Sequence, residues 1–189
     1  MKNSLITLLS VLLVTVGVHA QTWKIDPNHT SIMFNAKHSG ISFVNGRFME
    51  FDATVEGGTP SDFTGAKVTF TAQVGSVSTG AEGRDKHLKT ADFFDMENHP
   101  TISFVSKSMT KSGGNTYKVV GDLTMRGNTK QVELTANHIG STKTRDDRNS
   151  VGFQLTGSVD RNEWGVSGAA GSVAPTIEIL CNLEMAEQK

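Results

Sequence analysis

"AKVTFTAQV", residues 66–74, decides the fold class. Ala66, Val68, Phe70, Ala72 and Val74 fall on one side of an extended chain, and Lys67, Thr69, Thr71 and Gln73 on the other. A strict period of two with one polar side is the signature of a strand that is apolar inward and solvated outward. The same reading extends in both directions. "SIMFNAKH" puts Ile32, Phe34 and Ala36 on one face. "TYKVVGDLTM" aligns Tyr117, Val119, Gly121, Leu123 and Met125, and "KQVELTANH" aligns Val132, Leu134 and Ala136. "VGFQLTGSV" contributes Phe153, Leu155 and Val159, and "TIEILCNLE" contributes Ile177, Ile179, Cys181 and Leu183. Turn-forming clusters separate these runs at "EGGTPSD", "KSGGN", "RGNT" and "KTRDDRNS".

With "ISFVNGRFMEFDATVE" added, about eight antiparallel strands on short connections are expected, as a sandwich or a closed barrel. The outward positions are Lys, Thr, Gln, Asp and Glu, without the aromatic girdles of a membrane barrel, so an apolar interior and a wet exterior are expected. A closed barrel of that size is just wide enough to hold one ligand. One segment breaks the pattern. Between Ala81 and Met96 the period turns helical, with Leu88, Ala91 and Asp92 at i, i+3 and i+4 and an Asp85–Lys89 ion pair, which predicts a short helical lid.

The chain opens on a basic Lys2, an apolar run from Leu5 to Val18 and a small-residue site at Val18-His19-Ala20. This pattern reads as a signal peptide over 1–20, leaving one domain over 21–189, exported to the periplasm, or secreted where no outer membrane exists. A formal net charge of −1 with no clustered basic face argues against nucleic acid. Cys181 is the only cysteine, so no internal disulfide forms, and it shares a face with Ile177 and Ile179 as a buried thiol.

Metal and nucleophile motifs are missing. His29, His38, His87, His99 and His138 have no H-x-H or H-E-x-x-H spacing, and "GVSGA" lacks the last glycine of a nucleophile elbow. No catalytic residue, metal or cofactor is expected. The densest cluster of charge, "RDKHLKTADFFDMENHPTISF" over 84–104, interleaves Arg84, Lys86 and Lys89 with its carboxylates, the pattern of a charge-compensated surface helix. A rival enzyme reading, a hydrolase or isomerase, would require His38, Asp85 and His87 to converge within hydrogen-bond reach. A third reading is a filled barrel acting as an interaction module, with no cavity.

Five blocks in order resemble the YceI-like family. They are "WKIDPNHTSIMFNAKH", "NGRFMEFDATV", "RDKHLKTADFFDMENHPTISF", "GDLTMRGNTKQVELT" and "VGFQLTGSVDRNEWGV". Together they cover nearly all of the chain after the leader, and the charged "STKTRDDRNS" turn is the main departure. The resemblance implies a lipocalin-like fold: an all-β, antiparallel eight-stranded barrel with a short helical lid segment. It implies a carrier or storage protein for a polyisoprenoid or similar amphiphile, such as a quinone tail, with links to stress responses in some relatives. Transient membrane contact without membrane insertion, and pairing as a homodimer, belong to the same expectation.

On that reading the hydrophobic lining would be Phe34, Phe43, Phe51, Phe70, Leu88, Phe93, Phe94, Phe104, Leu123, Met125, Leu134, Phe153 and Leu155. Met33, Met49, Met96, Met109 and Met125 would let the cavity adapt to a flexible chain. Arg84, Asp85 and His87 would fix the lid. A chain of about forty carbons at ~0.3 kcal/mol per heavy atom would bind with about −12 kcal/mol, near nanomolar, by apolar contact alone.

Overall fold

The computed structural model describes residues 21–188, so the leader expected over 1–20 lies outside the described residues. Eleven strand segments occur among the described residues: β1 (Thr22–Ile25), β2 (Ser31–His38), β3 (Ser42–Phe48), β4 (Phe51–Glu56), β5 (Lys67–Gln73), β6 (Val77–Ser78), β7 (Thr101–Gly113), β8 (Thr116–Met125), β9 (Asn128–Lys143), β10 (Asn149–Asp160) and β11 (Val173–Glu187). The one α-helix among the described residues, α1 (Glu82–Leu88), stands between β6 and β7. All ladders are antiparallel, and β1 pairs with both β4 and β11, which closes the ring.

The eleven segments make an eight-stranded barrel because three of its strands are broken. β1 and β2 lie one after the other along the same edge of β11, with Ile25 opposite Met185 and Ile32 opposite Cys181. On their other side they face β4 and β3 in turn, with Trp23 opposite Val55 and Ile32 opposite Phe48. β4 and β3 then face β5 and β6.

Each break has its polar groups satisfied, as buried or half-buried backbone requires. At 26–30, the Asp26 carboxylate accepts from the Asn28 amide, and the Glu184 backbone carbonyl accepts from the Asp26 amide. At 49–50 and 74–76 a single hydroxyl serves both corners. Ser76 Oγ accepts from the amides of Met49 and Glu50 and donates to the Gln73 carbonyl.

The barrel is filled at one end. The loop between β4 and β5 folds Phe63 inward against Trp23, at 5.3 Å between ring centroids, and against Phe153 at 5.0 Å, edge to face. Tyr117 accepts from the Phe63 amide and donates to Asp62, while Trp23 Nε1 donates to the Gly57 carbonyl. Gly58, with φ of +79°, passes so close to the Phe63 ring that a Cβ there would lie 2.6 Å from it. This plug came from a stretch with no strand period, and nothing in the alternating pattern announced it.

The other end has a seam. β5 pairs with β7 only through Thr69–Gln73, and β6 pairs only with β3. The chain over 79–100 fills the opening as a lid. Its helix is shorter than the period suggests, ending at Leu88 rather than Met96. Consecutive side chains on a helix diverge by about 100°, so Phe93 and Phe94 could not both enter the barrel from a continuous helix. The chain instead turns, with Asp95 at φ of 53°, and buries both rings.

The expected Asp85–Lys89 pair is replaced by Lys86–Glu82 at 2.7 Å, because the Asp85 carboxylate is engaged elsewhere. The "STKTRDDRNS" stretch is the β9–β10 hairpin, where Asp146 accepts from the Thr144 hydroxyl and from Arg148 Nε, each at 2.7 Å. Among the described residues no helix is long and apolar enough to cross a membrane.

Candidate functional site

Between the aromatic plug and the lid lies a cavity of about 200 Å³. Ten of the residues expected to line it do so. Phe34, Phe70, Phe104, Leu123, Leu134 and Leu155 project from the barrel strands, Met125 from the end of β8, and Leu88, Phe93 and Phe94 from the lid.

Three others are corrected. Phe43 points outward and is 54 % exposed. In β3 the inward positions are Val44, Gly46 and Phe48, and parity sends Phe43 to the opposite face with Asn45 and Arg47. Phe153 does face inward, but at the filled end, where it stacks on His138 and meets Phe63. Phe51 packs half-buried against the lid-end core without joining the wall. Of the methionines, Met33 and Met125 border the cavity and Met109 belongs to the filled end, while Met49 and Met96 are exposed.

What keeps the space open is a set of short side chains that sequence reasoning passed over. Ala36, Ala53 and Ala72 face the cavity from β2, β4 and β5, where leucine or phenylalanine would fill it. Their signal was present in the sequence, as small residues at inward positions of otherwise bulky alternation. Cys181 also faces the cavity, and burial pushes its thiol up to about 11, a sign of how poorly this interior supports charge.

Among the described residues the only other polar one on the wall is Arg161, just 4 % exposed. Its guanidinium is already occupied. Nε donates to the Ala174 carbonyl, Nη1 to Val166 and Gly168, and Nη2 to Val173. Burial lowers its pKa, and four carbonyl dipoles solvate the charge in place of water. Arg161 therefore fixes the loop after β10, and no buried side-chain nitrogen or oxygen among the described residues lacks a partner. The chamber can enclose hydrocarbon and offers nothing with which to orient a polar group.

The lid is held at both ends. At its start, Asp85 Oδ1 accepts from the Thr79 amide at 2.8 Å and from its hydroxyl at 2.5 Å. Arg84 donates from Nε to the Thr79 hydroxyl and from Nη2 to its carbonyl. Farther along, His87 Nε2 meets Asp92 Oδ2 at 3.1 Å, and its ring stands edge-on to Phe93 at 5.0 Å.

Two further clasps were not anticipated. Arg126 Nη2 donates to the Ala91 carbonyl at 2.6 Å and Nη1 to that of Gly165. The Gly168 amide donates to the Asp92 carbonyl at 2.8 Å, and a Cβ on Gly168 would lie 2.6 Å from the Phe93 ring. His38, Asp85 and His87 share no hydrogen bond: Asp85 is engaged with Thr79, His87 with Asp92, and His38 is an exposed residue at the end of β2.

Outside the barrel, Asp26, His29 and Glu184 bring three potential ligand atoms within 4.8 Å of one another at the first strand break. Asp26 Oδ2 is 2.8 Å from His29 Nδ1, and this contact lowers the carboxyl pKa and raises that of the imidazole.

The comparisons agree with this architecture. The model of the YceI-like domain matches residues 23–185. A UPF0312 protein of Pectobacterium atrosepticum is 32 % identical over the whole of both chains. The crystal structure of the Campylobacter jejuni YCEI protein superposes with a TM-score of 0.74 at 28 % identity, covering 79 % of this chain and 88 % of that one. A polyisoprenoid binding domain from Saccharophagus degradans, implicated in plant cell wall breakdown, shares the fold with a TM-score of 0.64 at 12 % identity, covering 88 % of this chain and 98 % of that one. A lidded, one-end-filled barrel whose sequence matches the domain model almost from end to end places this chain in the YceI-like family.

Proposed function

We propose that this protein is an exported carrier that encloses the hydrocarbon part of an amphiphilic lipid, with polyisoprenoids as the first class to test. The observation that carries this reading is the wall itself, apolar throughout apart from a buried thiol and an arginine already bonded to carbonyls. Burial of methylene groups drives such binding, at about 0.8 kcal/mol each. A head group has no partner inside and stays at the mouth.

The size of the chamber refines the expectation of a forty-carbon cargo. A cavity of about 200 Å³ is small beside the ~300–1,000 Å³ of typical small-molecule sites. The closed form takes only a section of such a chain, and a longer cargo requires the lid segment, which fills the seam between β6 and β7, to swing outward. The isoprenoid named for the distant Saccharophagus domain supports the choice of first ligand.

Native mass spectrometry of the purified protein is the test, followed by delipidation and reloading with a prenylquinone, a polyprenol and a straight-chain fatty amide. Stoichiometric retention of one of them supports the carrier reading. A protein that emerges empty and takes up none of the three overturns it.

A further inference from the structure

The β2–β3 hairpin stands at the cavity end of the barrel and carries two large apolar side chains into solvent. Ile41 is 88 % exposed and Phe43 54 %. The tip is held in a fixed shape. Ser39 and Gly40 both have positive φ, 50° and 73°, and the Ile41 amide donates to the His38 carbonyl, the geometry of a tight two-residue hairpin turn. The Ser39 amide also donates to the Ser172 carbonyl at 2.6 Å, tying the tip to the loop after β10. Nothing in the barrel covers Ile41, and parity turns Phe43 away from the interior.

The hairpin itself carries only positive charge, and Glu178 of β11, opposite Asn35 and accepting from its side-chain amide, stands below it on the same outer face. From Pro27 to Met49 the sequence has no Asp or Glu, but it has Lys37 and Arg47. Both are exposed, and neither is in an ion pair among the described residues. Lys37 lies directly across the ladder from Phe43, so the cation and the ring share the outer face of the hairpin. The neighbouring loop from Gly165 to Ser172 carries no charged residue, and Ala169 and Ala170 are exposed on it. The patch adjoins the chamber. Ala36 and Val173, which line the cavity, sit three residues before Ser39 and directly opposite His38, respectively.

We propose that this hairpin tip docks on a bilayer containing anionic lipid, with Ile41 and Phe43 entering the interfacial layer and Lys37 and Arg47 resting at the head groups. Apolar side chains at a rigid tip with unpaired cations behind them are what an anionic interface retains. A second protein chain fits less well, because a stable interface buries about 800 Å² per partner and only two large side chains stand out here. Docking in this orientation sets the mouth of the barrel against the membrane. Its purpose rests on the carrier reading, but its measurement does not.

The test is co-sedimentation of the delipidated protein with vesicles of phosphatidylcholine and phosphatidylglycerol in equal parts, against phosphatidylcholine alone. The Ile41→Ser/Phe43→Ser variant is expected to lose at least tenfold in partitioning. The Lys37→Gln/Arg47→Gln variant is expected to lose the preference for the anionic vesicles and the sensitivity to salt. Uptake of a prenylquinone from detergent, measured separately, should be the same in all three proteins, which also verifies that the variants fold. Equal partitioning of wild type and the serine variant overturns the proposal. So does wild-type protein that ignores vesicles but loses self-association on serine substitution in sedimentation velocity, which would assign the tip to a second copy. Vesicle binding without any prenylquinone uptake upholds the docking surface and counts against the carrier reading alone.

Discussion

Replacing Ala53 with leucine tests whether the interior is hollow, because the two alternatives predict opposite signs. Ala53 projects from β4 into the chamber, directly across the ladder from Phe70. Leucine adds three carbons. If they enter empty space, each contributes about 0.8 kcal/mol, a gain of about 2 kcal/mol. The chamber has room for this. At about 24 cal/mol per Å³, a void of about 200 Å³ leaves about 5 kcal/mol of stability unrealised. For a chain of this length a gain of that size raises Tm by about 4–8 °C. In a packed interior the same substitution costs about 1–3 kcal/mol through forced rotamers and backbone shifts. The measurement is the urea midpoint of the delipidated protein at unchanged m-value, with prenylquinone uptake recorded in parallel. A higher midpoint with weaker uptake is expected. A midpoint lower than wild type would show that the space is not available to side chains and would refute the hollow-barrel argument.

The remaining predictions concern the lid, the thiol and the first strand break. Gly168→Ala would place a methyl group 2.7 Å from the Asp92 carbonyl oxygen, a backbone atom that cannot rotate away. The lid should lift, losing about 1 kcal/mol with the Gly168–Asp92 hydrogen bond, and cargo release should accelerate; an unchanged release rate refutes the clasp. Cys181, held neutral by burial up to about 11, should resist iodoacetamide at mildly alkaline pH, react faster in Gly168→Ala and slower with cargo bound; reaction at the rate of an exposed thiol contradicts the closed chamber.

At the first break, Asp26 titrates below 3.8 and His29 above 6.5 because each stabilises the charged form of the other. The His29 contribution is complete below 6.5 and is lost as pH rises through its folded value. The Asp26 contribution is complete above 3.8 and is lost as pH falls through its own. The pair therefore acts fully between pH 3.8 and 6.5, and modestly, since His29 is exposed and Asp26 half-exposed. In Asp26→Asn the His29 ring signals in an NMR titration should shift their midpoint down toward 6.5. An unmoved midpoint would mean that Glu184 rather than Asp26 sets it.

The alternation in "AKVTFTAQV" and its sister stretches tells which face of the sheet a side chain occupies, and the inward sets read that way are inward in the barrel. It does not tell height along the barrel axis. Phe153 and Leu155 share a face of β10, yet one belongs to the filled end and the other to the cavity. Phe63 was out of reach for a related reason: it arrives from a loop, where period carries no information. At Phe43 parity overrides hydrophobicity, since Phe48, five residues on, already occupies the inward phase. The breaks at 26–30, 49–50 and 74–76 depend on backbone groups finding partners on other strands, such as Ser76 serving two corners, and these pairings have no local signature. The lid showed its helical start and its charges, but its clasps come from Arg126 and Gly168, far away in the chain.

The seam has a consequence for the protein's behaviour in a crowded solution. A barrel normally escapes aggregation by having no free edge, and one that must open to exchange cargo gives up that protection each time its lid moves. Here the exposure is small. β6 is two residues long, and the part of β3 beyond its reach contains Asn45 and Gly46, both poor strand formers, beside the cationic Arg47. A neighbouring chain meeting the opened mouth finds too short and too poor a template to extend, so repeated opening need not nucleate fibrils.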